Sequence, residues 1–455
     1  MFHPQDQTLV MPETCAAKHA LRFLRAGIVG LASCCMLHAM AAPAVPLGRA
    51  SVSATASGQI TSAFVSRPAI NAGKTSNPIA PLEARLNEQI MMIPVDSNGS
   101  DISLETTIFR PPGDGPFPVL IMNHGKARGS PRHQERDRFI AISREFVKRG
   151  YAVVIPMRAG FARSGGQYVD DGCDLTSNGQ SQANDVQGVL EFLSRQSWVD
   201  RSRLLVAGQS HGGLTALALG ARNLPGVRGL INFAGGLKTD SGPCQWRGAL
   251  LAAFGEYGAR SRTPSLWFYG ANDSYFNPAL AVLLRDAFVA GGAPAKLVAF
   301  GNFKHDAHAM SGSRDGVRVW WPETERFLKQ IGMPTDETVA LAPEARLPRT
   351  AFALIDNIEA IPYLQQHGRE QYKVFLTKPT PRAFALSANG GWSWAEDGDD
   401  PVERVLATCQ RSSGQPCRLY AIDDDVVWTG TAAPAATTLA INAMTPNASA
   451  LRPSM

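Results

Sequence analysis

The stretch Arg203-Leu204-Leu205-Val206-Ala207-Gly208-Gln209-Ser210-His211-Gly212-Gly213-Leu214-Thr215-Ala216-Leu217 decides how the rest of the chain is read. Leu204–Ala207 is short and continuously apolar, as expected of a strand buried on both faces. Gly208-Gln209-Ser210-His211-Gly212 is a G-x-S-x-G turn between that strand and a helical run, the setting in which this motif carries chemistry. Small residues two before and two after the serine permit a very tight turn, which forces the serine into a strained backbone conformation. The turn lifts Oγ clear of the sheet and aims it at the N-terminus of the next helix. Free N–H groups there favour an oxyanion.

The neighbouring runs repeat this pattern. Pro118–Met122, Tyr151–Pro156, Gly229–Phe233, Ser265–Tyr269 and Lys296–Phe300 are also short and apolar, each followed by a helical stretch. The spacing predicts helices over Arg138–Arg149, Ser181–Gln196, Gly212–Arg222, Pro278–Ala290 and Glu323–Ile331. Buried strands separated by helices imply parallel βαβ crossovers. Before them, Gln89–Val95 and Ile102–Phe109 flank Ser97-Asn98-Gly99, a hairpin signal. The prediction is an α/β domain over 85–333, with a mostly parallel eight-stranded sheet and helices on both faces. A proline-punctuated linker, 334–350, leads to a small C-terminal α+β module over 351–429. That module is expected to hold one helix from Pro362–Gly368 onward and short strands near Ala383–Leu386 and Leu419–Val427. Residues 430–455, rich in Ala, Thr and Pro, read as a disordered tail.

The 455 residues are 44% hydrophobic and 18% charged with a formal net charge of +5, which excludes a disordered chain. No run of five or six basic residues occurs, so no nucleic-acid partner is expected. Lys18, Arg22 and Arg25 precede the apolar Ala26–Met40 and the small-residue site Ala39-Met40-Ala41. This reads as a signal peptide over 1–41, followed by a flexible linker over 42–84, in a periplasmic or secreted protein. The apolar stretch falls short of the roughly 20 residues that span a bilayer, so no transmembrane anchor is expected. Two alternatives stay open: a buried N-terminal helix, and a lipid anchor at Cys34, because Leu31-Ala32-Ser33-Cys34 resembles a bacterial lipobox. Cleavage at Ala41 removes three cations and two anions, leaving +4, together with Cys15, Cys34 and Cys35. The remaining Cys173, Cys244, Cys409 and Cys417 suggest two disulfides. Sequence proximity favours Cys409–Cys417, and elimination leaves Cys173–Cys244.

A serine nucleophile needs a base, and the base needs an orienting carboxylate. In this kind of sheet both come from loops after later strands. Past Ser265–Tyr269 the chain reads Gly270-Ala271-Asn272-Asp273, and Asp273 is the first carboxylate; a helix cap or Asx turn is its plain structural alternative. Past Lys296–Phe300 the loop carries His305 and His308. His308 is the expected base, since the loop must run several residues before it returns over Ser210, and His305 is the alternative. No adjoining carboxylate–histidine helix completes a zinc site, so neither metal nor cofactor is expected. The oxyanion hole needs two backbone donors, expected from His211 and from Lys126 in Asn123-His124-Gly125-Lys126. The His124 side chain reads as a hydrogen-bonding residue that packs this loop. Arg158 and Arg163 read either as contacts to a substrate carboxylate or as structural ion pairs. Tyr168, Trp246, Tyr275 and Phe276 read either as pocket lining or as packing.

Asn123-His124-Gly125, Arg158-Ala159-Gly160-Phe161-Ala162-Arg163-Ser164-Gly165-Gly166, the Ser210 turn, Gly270-Ala271-Asn272-Asp273 and the His305/His308 loop follow one another over residues 85–332. In this order the sequence resembles the α/β-hydrolase superfamily, and within it the dienelactone-hydrolase-like and prolyl-oligopeptidase-like secreted serine hydrolases. The resemblance implies a Ser210–His308–Asp273 triad with His211 and Lys126 as oxyanion donors. Dienelactone hydrolases in the strict sense use cysteine where this chain has Ser210. Residues 381–427 resemble a C-terminal module of bacterial exported proteins, to which no activity attaches. The connection from Gly229–Phe233 to Ser265–Tyr269 is short where many lipases insert a large lid. Small-molecule esters of modest size are therefore the expected substrates. A serine peptidase or acyl-peptide hydrolase, and a non-catalytic binding protein on the same scaffold, are the alternatives.

Overall fold

The computed structural model describes residues 82–239, 243–342, 347–396 and 401–430. The expected signal peptide, the lipobox, nearly all of the first linker and the tail beyond 430 lie outside the described residues.

The chain begins with β1 (Glu88–Ser97) and β2 (Ser100–Phe109), an antiparallel hairpin closed at Ser97 opposite Ser100. Its two-residue turn has φ of 51° at Asn98 and 79° at Gly99, the conformation for which Asn-Gly is favoured. There follow β3 (Phe117–Asn123), α1 (Ile140–Val147), β4 (Ala152–Pro156), α2 (Leu175–Leu193), β5 (Val199–Gln209) and α3 (His211–Gly220). The domain then adds β6 (Val227–Phe233), α4 (Trp246–Arg260), β7 (Ser265–Gly270), α5 (Pro278–Ala290), β8 (Ala295–Phe300) and α6 (Val317–Gln330). The sheet order is β1-β2-β4-β3-β5-β6-β7-β8, antiparallel up to β4 and parallel from there on.

Alternate residues of the central strands feed two separate cores, which explains their continuous apolar character. Val119 and Ile121 of β3 and Leu204 and Val206 of β5 pack with α2, α3, α4 and α5. Leu120, Met122, Leu205 and Ala207 pack on the other face with α1 and α6. Helices therefore cover both faces, as predicted, and the ends of β5, β7 and β8 are left free to carry loops.

Five elements depart from the sequence expectation. Helix α2 starts at Leu175 rather than Ser181, because the Asp174 side chain caps it by accepting from Ser177 N. Helix α6 starts at Val317 rather than Glu323, so Pro322 lies inside it, the preceding turn being held by the buried Trp320. The connection from β6 to β7, for which no helix was predicted, holds the whole of α4. In the C-terminal region β10 and α8 were not foreseen.

That region comprises α7 (Gln366–Leu376), β9 (Arg382–Ser387), β10 (Trp392–Glu396), α8 (Pro401–Ser413), β11 (Cys417–Ile422) and β12 (Asp425–Val426). Its antiparallel sheet runs β10-β9-β11-β12. Tyr372 and Phe375 of α7 pack on Phe384, Leu386 and Tyr420 on one face. Val405 and Cys409 of α8 pack on Ala383 and Ala385 on the other. Cys409 is bonded to Cys417 with Cα atoms 6.0 Å apart, and Cys173 to Cys244 with Cα atoms 5.5 Å apart. Among the described residues no helix is long and apolar enough to cross a membrane.

Candidate active site

Ser210 sits between β5 and α3 with φ 54° and ψ −122°, a sparsely populated conformation for a residue with a side chain. The glycines around it are dictated by contact. A Cβ on Gly208 would lie 2.0 Å from Gly212 O, and one on Gly212 would lie 2.1 Å from Asn123 O. The strain is held by backbone hydrogen bonds: Ser210 N donates to Phe233 O at 2.9 Å, and Gly213 N and Gly236 N donate to Ser210 O.

Asp273 follows β7 and its side chain is fully buried. Its Oδ1 accepts from Tyr275 N at 2.8 Å and Phe276 N at 2.9 Å, and its Oδ2 accepts from His308 Nδ1 at 3.0 Å. This contact assigns the His308 proton to Nδ1 and leaves Nε2 as the free nitrogen. The His308 backbone is fixed at both ends, N–H to Asp306 Oδ1 at 2.9 Å and carbonyl to Gln209 Nε2 at 3.3 Å. The Tyr275 ring lies 4.5 Å from its imidazole. Burial pushes the Asp306 carboxyl up, but hydrogen bonds from Ser274 and from His308 N outweigh it and hold it below the usual range. Asp306 thereby ties the histidine loop to the aspartate loop.

Ser210, His308, Gly125, Lys126, Gln209 and Tyr275 line one cavity of about 320 Å³. Gly125 approaches the serine closely, since a Cβ there would lie 3.4 Å from Ser210 Cβ. Among the described residues neither His211 N–H nor Lys126 N–H has a hydrogen-bond partner. His305 is exposed and does not line the cavity.

His124 is wholly buried, its Nδ1 2.6 Å from Gly125 O and its Nε2 accepting from Arg158 N at 3.0 Å. Arg163 pairs with Glu105, its Nε donating at 2.8 Å, whereas Arg158 is buried beside His211. Of the four aromatic candidates only Tyr275 reaches the cavity wall; Phe276 packs beneath His308, Tyr168 against His211 and Trp246 against Phe276. Sequence reading missed Gln209 and Asp306 as clamps on His308. A carboxylate two residues before a candidate histidine is the signal that pointed to the second.

Residues 98–264 match the family described as X-Pro dipeptidyl-peptidase (S15 family), a segment that contains Ser210 but ends before Asp273 and His308. No curated protein sequence gives a significant match. Among solved structures, a protein from Klebsiella pneumoniae assigned as a dienelactone hydrolase is 18% identical with a TM-score of 0.39, over 54% of this chain and 98% of its own. The acylaminoacyl peptidase of Pyrococcus horikoshii is 16% identical with a TM-score of 0.41, over 54% of this chain and 42% of its own. The Pyrococcus furiosus esterase Pf2001 is 15% identical with a TM-score of 0.40, over 56% of this chain and 95% of its own. By its strand order, its two helical layers and its strand–turn–helix at Ser210, the chain has the fold of the α/β-hydrolase superfamily.

Proposed function

We propose that the protein is an exported serine hydrolase that cleaves carboxylic esters of modest size through an acyl-enzyme. The observation that carries this reading is the placement of strained Ser210 and the Asp273-bound His308 in one cavity. In the proposed reaction Ser210 Oγ attacks the ester carbonyl while His308 Nε2 takes its proton. Asp273 orients the imidazole and stabilises the imidazolium, and the N–H groups of His211 and Lys126 receive the oxyanion. The tetrahedral intermediate collapses with protonation of the leaving alcohol by His308. Water, activated by the same base, then releases the acid and regenerates Ser210. A cavity of about 320 Å³ suits small acyl groups rather than long chains. Two disulfides support export, because such bonds persist in oxidising compartments.

The test is hydrolysis of p-nitrophenyl acetate and butyrate by the parent protein and by Ser210→Ala, with fluorophosphonate labelling of Ser210. Equal activity in both proteins, or no labelling, sinks the reading. The family match over 98–264 favours a second reading, a peptidase. It predicts faster release from X-Pro nitroanilides than from the esters.

A further inference from the structure

Arg158 is a wholly buried cation that the proposed reaction leaves unused. Its Nε donates to Gln182 Oε1 at 3.0 Å and its Nη2 to His211 Nδ1 at 3.3 Å, while Nη1 has no hydrogen-bond partner among the described residues. Its Cζ lies 5.5 Å from the Phe161 ring. Phe161 in turn meets His124 and Tyr168, and Tyr168 meets His211, all edge to face. No carboxylate among the described residues forms an ion pair with Arg158. The buried Asp185 acts on it only through space, its own oxygens accepting from Ser97 and Ala159. Burial pushes the guanidinium down to about 10, so it stays protonated at neutral pH. Burying a cation without a paired anion is costly. The fold nonetheless keeps this one.

Two connections run from Arg158 to the two expected oxyanion donors. Its backbone N–H donates to His124 Nε2, so that imidazole carries its proton on Nδ1 and donates to Gly125 O. The trans Gly125–Lys126 peptide then points the Lys126 N–H the opposite way. On the other side, His211 Nδ1 accepts from the guanidinium and its Nε2 donates to Asn178 Oδ1 at 2.7 Å. That fixes the ring of the residue whose backbone N–H is the other donor.

We propose that Arg158 is a positioning residue that pins both oxyanion donors and holds a permanent positive charge behind them, matched by an anion only when the tetrahedral intermediate forms. Such charge, placed before the reaction and shielded from water, acts on the transition state more than on bound substrate. The inference rests on the serine hydrolase reading.

The experiment measures kcat and KM on p-nitrophenyl butyrate in the full chain, per serine titrated with fluorophosphonate, together with Tm. Arg158→Gln is expected to lower kcat by about 30-fold with KM within about 3-fold, and Arg158→Lys to recover part of the loss. Gln182→Glu sets a carboxylate against Nε and cancels the charge. It is expected to lower kcat about 10-fold while Tm holds or rises, a combination that a purely structural arginine does not produce. Should Arg158→Gln fail to fold, Gln182→Glu carries the test. A kcat per titrated serine within about 3-fold of the parent in either variant overturns the inference. A parent that neither labels nor hydrolyses esters overturns the reading beneath it, and this inference falls with it.

Discussion

The eight-stranded sheet and the four-stranded sheet are both sandwiched between helices, yet among the described residues it is the first that brings the candidate Ser210, Asp273 and His308 to one cavity. In the parallel part of the large sheet β5, β7 and β8 all end on one edge, so the loops bearing Ser210, Asp273 and His308 converge there. The small sheet is antiparallel between neighbours, so its two hairpin turns, β9–β10 and β11–β12, lie on opposite edges. Its most connected polar residue, Arg382, donates to the carbonyls of Phe375, Leu376 and Lys378 and to Asp424. Those bonds hold α7 to the strand. They build structure rather than a site.

The largest expected effect breaks this symmetry outright. Ser210→Ala should lower ester turnover by at least about 10³-fold while leaving the urea midpoint of the protein within experimental scatter, since among the described residues Ser210 Oγ holds no hydrogen bond. A substitution on the small sheet should not do this.

Stapling sharpens the comparison. Cys173–Cys244 closes a sequence separation of 71 residues beside the large sheet, and Cys409–Cys417 one of 8 beside the small sheet. Loop-closure entropy predicts a loss of about 4 kcal/mol for Cys173→Ser with Cys244→Ser, and about 2.5 kcal/mol for Cys409→Ser with Cys417→Ser. Urea unfolding of the two double variants measures the difference. Equal losses would mean that native strain or residual structure, not loop length, sets the contribution.

Acid should weaken the large domain before carboxylates titrate. Burial, reinforced by Arg158, pushes both His124 and His211 well below their ordinary value of 6.5. Between pH 7 and 6 the unfolded chain therefore binds more protons than the folded one, so stability falls as pH falls. Two such histidines give a loss of about 1.4 kcal/mol over that unit. Asp185, pushed up by burial, acts with the opposite sign wherever it titrates. Urea midpoints at pH 7 and pH 6 decide it; no decrease would mean that one of the two imidazoles is charged or solvated.

How far the sequence could be read follows the same division. Strands β3 to β7 were legible because both faces of their central residues are buried, and the turn at Ser210 because its glycines are forced by backbone contact. Helix α4 was hidden by Gly248, Gly255 and Gly258, which lower helix propensity. Gly258 is there because α4 lies so close to α5 that a Cβ would meet Phe288 O at 2.1 Å. Helix α8 escaped because its narrow apolar stripe needs only to cover the small side chains of Ala383 and Ala385. Ser210, Asp273 and His308 were singled out as candidates by their places after strands. The Gln209 clamp and the Arg158 network join segments distant in sequence, so no spacing rule reaches them, whereas Asp306 stands two residues before His308 and carried a local signal.

The smallest effect concerns the joint between the two regions. Ser313 Oγ donates to Thr380 O at 2.6 Å, Arg314 N donates to the same carbonyl at 3.0 Å, and Arg314 Nη1 donates to Asp423 Oδ2 at 2.7 Å. These contacts lie just beyond Gly312, the last cavity-wall residue on the His308 loop. The loop's nearer half is fixed independently, by Asp306 on Ser274 and by Gln209 on the His308 carbonyl. Asp423→Ala should therefore cost about 1 kcal/mol, because the ion pair is partly solvated and the Arg382 N–H also loses an acceptor. Its kcat on p-nitrophenyl acetate should stay within about 3-fold of the parent, while KM for the bulkier butyrate shifts first, since the wall moves before the base does. A fall in kcat at unchanged KM would instead place the module's influence on His308 itself, and the two sheets would then share one site.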